Sequence, residues 1–117
     1  MSAAWESLHR AMHELAGSES IKQRLISAFS NHLKELDPAS LPPEQRARFE
    51  SLAARLTCVR PLRGESAITA TVRKMSNSEA SDCAHQLIDL MAEVAAQGAE
   101  ASRLRPRRVV SLYSAEA

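Results

Sequence analysis

Ile21, Leu25, Phe29, Leu33 and Leu36 recur every three or four residues between Gly17 and the Asp37-Pro38 pair. That spacing lines five large apolar side chains along one stripe of a helix, the strongest amphipathic pattern in the chain. A helix with one apolar stripe needs another helix to cover it. The pattern therefore predicts a helix from Ser18 or Ser20 to Leu36, ended by Asp37-Pro38, with partners elsewhere in the sequence.

Four further segments carry helical punctuation. Ser2 can cap a helix that runs to about Ala16 and stops at Gly17, with Trp5, Leu8, Met12 and Leu15 on its stripe. After a short turn over residues 37–41, Pro42-Pro43 opens a helix to about Thr57, since proline is tolerated in a first turn. Its apolar face is Phe49, Leu52, Ala53 and Leu56. The connector over residues 58–64 is too rich in Pro and Gly to continue it. Ser76 with Glu79 three residues later forms a capping box, so the last helix starts there and is expected to stop at Gly98. Ala84, Leu87, Met91 and Val94, flanked by Ile88, are its stripe.

Residues 65–75 fit two periods. Ile68, Val72 and Met75 match a helix, whereas Ile68, Ala70 and Val72 alternate with polar neighbours as a strand would. Helix is expected, because the only candidate strand partner is Val109–Tyr113 and an isolated pair of strands is marginal. A small α+β variant pairing 66–73 with 109–113 is the alternative.

Aromatic residues make up 3% of the chain, so Leu, Ile, Val, Met and Ala must build the core, which suits closely packed helices. Trp5, Phe29 and Phe49 are its expected large anchors. At 117 residues one domain is expected. The reading is an all-α bundle of four to five amphipathic helices over residues 1–98, with a basic C-terminal extension over 99–117. A leftover apolar face would be buried in a homodimer. Apolar runs fall well short of the ~20 residues of a membrane span, and no signal-peptide pattern follows Met1, so a cytoplasmic protein is expected. The two cysteines, Cys58 and Cys83, form no CxxC and are expected to be small buried hydrophobes.

Charge is unevenly placed. Residues 101–117 hold four arginines and one glutamate, a net of +3, while residues 1–100 hold 11 basic and 13 acidic residues, a net of −2. Arg103, Arg105, Arg107 and Arg108 form a candidate contact for nucleic acid or another anion, because phosphate contacts need charge and reach more than shape. The competing expectation is that this tail folds back on Asp82, Asp89 and Glu93, which face away from the last helix's apolar stripe. Arg60, Arg63, Arg73 and Lys74 form a second candidate anion group beside the Gly64–Ser66 helix start, where Glu65 would compete for the same donors. A helix-turn-helix over 65–97 is disfavoured, since its second helix would bring those carboxylates to the phosphates.

His9 and His13 share a helix edge at a spacing zinc sites use, and Asp82, His85 and Asp89 share another. His9 and His13 have no third ligand at obvious spacing, though Glu6 lies three before His9, and solvated side chains are expected. Asp82, His85 and Asp89 could hold a metal, but intrahelical charge pairing is the expectation. His32, on the apolar side of the second segment, is expected to be half-buried on a backbone carbonyl. No GxSxG, Gly-rich phosphate loop or Cys–His pairing appears, and there are three glycines in all. The chain is therefore expected to be a non-enzymatic binding or regulatory protein without a cofactor, acting through protein–protein contacts. A nucleic-acid-binding accessory protein is the alternative.

Overall fold

The computed structural model describes the backbone of residues 3–104 and side chains over 4–98. Five α-helices occur among the described residues: α1 (Ala3–Leu15), α2 (Ile21–Ala28), α3 (Pro43–Leu56), α4 (Ala67–Arg73) and α5 (Asn77–Leu104). A π-helical turn (Phe29–Leu33) extends α2, and a 3₁₀ turn (Pro38–Ser40) precedes α3. The all-α expectation holds. Residues 67–73 are helical, so the strand variant fails there, and residues 109–113 lie outside the described residues.

Serine caps set the starts of α2, α4 and α5. Ser20 Oγ accepts from the Gln23 N–H at 3.2 Å, and Ser66 Oγ accepts from Thr69 N–H at 3.3 Å. At α5 the capping box is reciprocal: Glu79 N–H donates to Ser76 Oγ at 3.0 Å, and Ser76 N–H donates to the Glu79 carboxylate at 2.8 Å. Such a cap contributes about 1 kcal/mol by giving an otherwise unbonded helix donor a partner.

One core gathers Leu8 and Leu15 of α1, Leu25 and Ala28 of α2, Phe49, Leu52 and Leu56 of α3, Ile68 and Val72 of α4, and Cys83, Leu87 and Leu90 of α5. Helix α5 is the spine, packing against α1, α2 and α3, while α2 also meets α1 and α4. Phe29 and Phe49 are buried anchors as expected. Trp5 is not: it is half-buried, and Ala4, Leu8, Ala11 and Leu15 take the inner face of α1. Alanine at two of four inner positions lets the neighbouring helices approach closely, which leaves the indole at the rim.

Two boundaries depart from expectation. The second helix is not regular to Leu36: Lys34 N–H bonds the Phe29 carbonyl at 2.9 Å, five residues back, and the π turn seats Phe29 and Leu33 in the core. The last helix runs through Gly98 to Leu104, because alanines at 95, 96, 99 and 101 outweigh one glycine and no proline intervenes before Pro106.

Two arginines pin the connections. Arg24 donates from Nη1 to the Leu15 carbonyl at 2.7 Å and from Nε to the Glu19 carbonyl at 2.8 Å, closing the turn between α1 and α2. Arg46 donates to the carbonyls of Pro38, Ala39 and Leu41, holding the 3₁₀ turn against α3. Several donors on one planar group suit this task, which a lysine would not match. In the 58–64 connector, Val59 N–H donates to the buried Thr71 hydroxyl at 3.0 Å. Gly64 stands at φ 82° inside a turn closed by Glu65 N–H on the Leu62 carbonyl, a conformation that favours glycine.

Candidate functional site

In the basic group around α4, Arg73 is paired with a carboxylate. Arg73 reaches the Glu65 carboxylate at 2.7 Å, and the same carboxylate oxygen accepts the Leu62 N–H at 3.0 Å. Those two donors hold the Glu65 carboxyl below its ordinary pKa, the backbone bond being the larger cause. Lys74 is the exposed C-cap of α4, and Arg60 and Arg63 are exposed in the connector. The Glu65 carboxylate thus takes one of the arginines, and Ser66 Oγ takes the Thr69 N–H at the helix start that the sequence offered to an anion.

Of the tail arginines, Arg103 falls within the last turn of α5, and Arg105, Arg107 and Arg108 lie outside the described residues. The continued helix bears on the fold-back expectation. From Asp89 to Leu104 the helix rises about 22 Å, and from Asp82 about 33 Å. The four residues from Arg105 to Arg108 span at most about 14 Å when fully extended. Glu93 is already engaged by α3: Gln45 donates to its Oε1 at 3.1 Å, and Arg48 bonds the same oxygen. The Gln45 bond, then Arg48, holds the Glu93 carboxyl below its usual range.

The histidines pair differently from expectation. His32 is half-buried, but its Nε2 lies 3.2 Å from Glu14 Oε2 on α1, and no backbone carbonyl is its partner. Asn31 donates to the same oxygen at 3.2 Å. The π turn brings both side chains to Glu14, which sits in the last turn of α1, where the helix dipole disfavours a carboxylate and gives it reason to gather donors. The pair opens onto a cleft of about 540 Å³ that also borders His13, Arg10, Arg24 and Ser27. The Ser27 hydroxyl accepts from Gln23 Nε2 at 3.2 Å, and no described serine or cysteine is bonded to His32. This His–carboxylate pair joins α1 to the π turn.

Trp5, His9 and His13 form a row of rings along α1. Trp5 stacks on His9 at 5.7 Å, and His9 meets His13 edge-on at 4.7 Å. Asp82, His85 and Asp89 are exposed on α5. Among the described residues no group of three or more His, Cys, Asp or Glu is placed to hold a metal ion. Cys83 is buried, and burial pushes its thiol up, whereas Cys58 is exposed, contrary to expectation. Cys58 lies in the connector that follows α3, off the helical stripe that buries Leu52 and Leu56.

The α3–α5 face holds what the sequence did not suggest. A pocket of about 250 Å³ is bordered by Arg48, Ser51, Leu52 and Arg55 of α3 with Gln86 and Leu90 of α5. Only the Arg48–Ser51–Arg55 spacing on one helix was visible in the sequence; Gln86 joins through the fold. No helix among the described residues is long and apolar enough to cross a membrane. Comparison with protein-family models, with curated proteins and with solved structures found no match for this chain.

Proposed function

We propose that this chain is a non-enzymatic binding or regulatory module that works through protein–protein contacts, with a homodimer as its simplest form. The observation that carries the reading is the ring row on α1: a half-buried tryptophan at the rim of the core, stacked on His9 and continued by His13. Tryptophan held at a surface edge is the side chain most enriched at interface hot spots. Met91 and Val94 on α5, the helix against which α1 packs, are also only partly covered. Sedimentation velocity over a concentration series tests it. A concentration-dependent dimer that Trp5→Ala converts to monomer, with helix content unchanged, is expected; a wild-type monomer throughout rejects the homodimer.

A second reading, nucleic-acid binding through Arg103, Arg105, Arg107 and Arg108, gains from the length of α5. The helix carries its end at Leu104 about 22 Å along the axis from Asp89 and about 33 Å from Asp82, which lends support to a partner outside the body's own acidic face. Fluorescence anisotropy with duplex DNA and with RNA checks this. Binding that falls with salt at a log–log slope no steeper than about −3.6, and disappears when all four arginines become Gln, is expected. Equal binding by the quadruple variant rejects it.

A further inference from the structure

The pocket between α3 and α5 is notable for the sign of its polar groups. Arg48 and Arg55 stand seven residues apart on α3, about 10 Å along its axis, with Ser51 between them. Gln86 faces them from α5, and the buried Leu52 and Leu90 complete the lining. Two guanidinium groups, a hydroxyl and a side-chain amide can all donate, and no carboxylate borders the space. Carboxylates flank it instead. Glu93 holds Arg48 from one side, and Glu79 and Asp82 lie near enough to Cys83 to act on its thiol, as Arg55 does. Arg55 nevertheless makes no ion pair with a carboxylate among the described residues.

We infer that this pocket is a binding site for a tetrahedral oxyanion of the phosphate class, either free phosphate or a phosphate ester. Arg55 is the principal cation, Arg48 the second, and Ser51 and Gln86 supply neutral donors to the remaining oxygens. Guanidinium groups suit this geometry because each presents paired N–H donors to two oxygens of one anion. The volume accommodates such an anion with a few waters. Glu93 competes for Arg48, so its loss strengthens the site. The inference is independent of the partner proposed above, because it uses neither the α1 ring row nor the tail.

Titration of the ¹⁵N-labelled full-length chain with inorganic phosphate and, separately, with O-phosphoserine tests it, against sodium chloride at matched ionic strength. Saturable shifts at Ser51, Arg55 and the Gln86 side-chain amide are expected with phosphate or its ester and not with chloride. Whichever of the two saturates at lower concentration identifies the source the pocket favours. Arg55→Ala should weaken binding by about tenfold or more, Arg55→Lys by less, and Glu93→Gln should tighten it. Arg10→Ala, remote on α1, should leave it unchanged. Saturation by neither ligand, or equal affinity in Arg55→Ala with an unchanged circular-dichroism spectrum, overturns the assignment.

Discussion

The corner where α1 meets α2 and the seam where α3 meets α5 join helices by different means. At the corner, Leu8, Leu15, Leu25 and Ala28 are buried, and Arg24 ties the turn through carbonyls no more than nine residues away. At the seam, Leu52 and Leu90 are buried, but long polar side chains make the outer contacts across 45 to 53 residues of sequence. Gln45 and Arg48 share Glu93, and Gln97 donates to Glu44 at 2.8 Å. Backbone-directed bonds in a short turn order little extra chain. Contacts between long side chains must order both partners, and those at the surface are screened by solvent. The corner is built for rigidity, and the seam keeps polar groups available.

The seam also carries a cost that the corner avoids. Gln45 is buried, and its Oε1 has no hydrogen-bond partner among the described residues, while its amide donates to Glu93. An unpaired buried carbonyl oxygen is unfavourable, so the side chain is held there by what its nitrogen does. Its role is to fix Glu93, and through Glu93 the position of Arg48.

The sharpest way to break the corner is Leu25→Ala. This residue is fully buried, and its truncation should cost about 2–5 kcal/mol in urea denaturation, through lost transfer energy and the cavity left behind. Arg24→Ala comes next at about 1–3 kcal/mol, because two carbonyls lose a charged donor; Arg24→Lys should recover only part of it. Gly98→Ala should act in the opposite direction. An added Cβ meets nothing within 4 Å, so the helix gains about 0.5–1 kcal/mol, visible as a higher melting temperature.

The smallest effect concerns acid. Glu65 and Glu93 both have folded pKa values below the ordinary 4.5, so each contributes stability that is present above that value. That contribution is lost as pH falls through the depressed folded values. Glu65→Gln and Glu93→Gln should each flatten the decline in stability below about pH 4.5, while Leu25→Ala shifts the whole curve and leaves its shape. A profile unchanged by both glutamine variants would show that neither exposed pair matters to folding.

Much of the fold was legible because its signals are local. Ser20 and the Ser76–Glu79 box cap helices through bonds spanning three residues, so a sequence window contains the whole interaction. The 65–75 segment was ambiguous by period, and the absence of a strand partner pointed to helix, as found. The pocket was not legible, since Gln86 reaches Arg48 and Arg55 only once α3 lies along α5. His32 was placed on the half-buried side of its helix, but its partner Glu14 comes from a different helix, 18 residues earlier.

The sequence by itself determined the all-α class, the helix starts and most of the apolar stripes, because caps and periodicity act within one or two turns. Tertiary structure decided the rest. It placed Ala4 and Ala11 inside and Trp5 at the rim, because closely packed helices favour small residues where they approach. It set the π turn at Phe29–Leu33, which seats both terminal residues in the core. It gathered four hydrogen-bond donors from two helices around one pocket. Steric fit between helices and charges meeting across dozens of residues have no local sequence signature, so only the packed molecule reveals them.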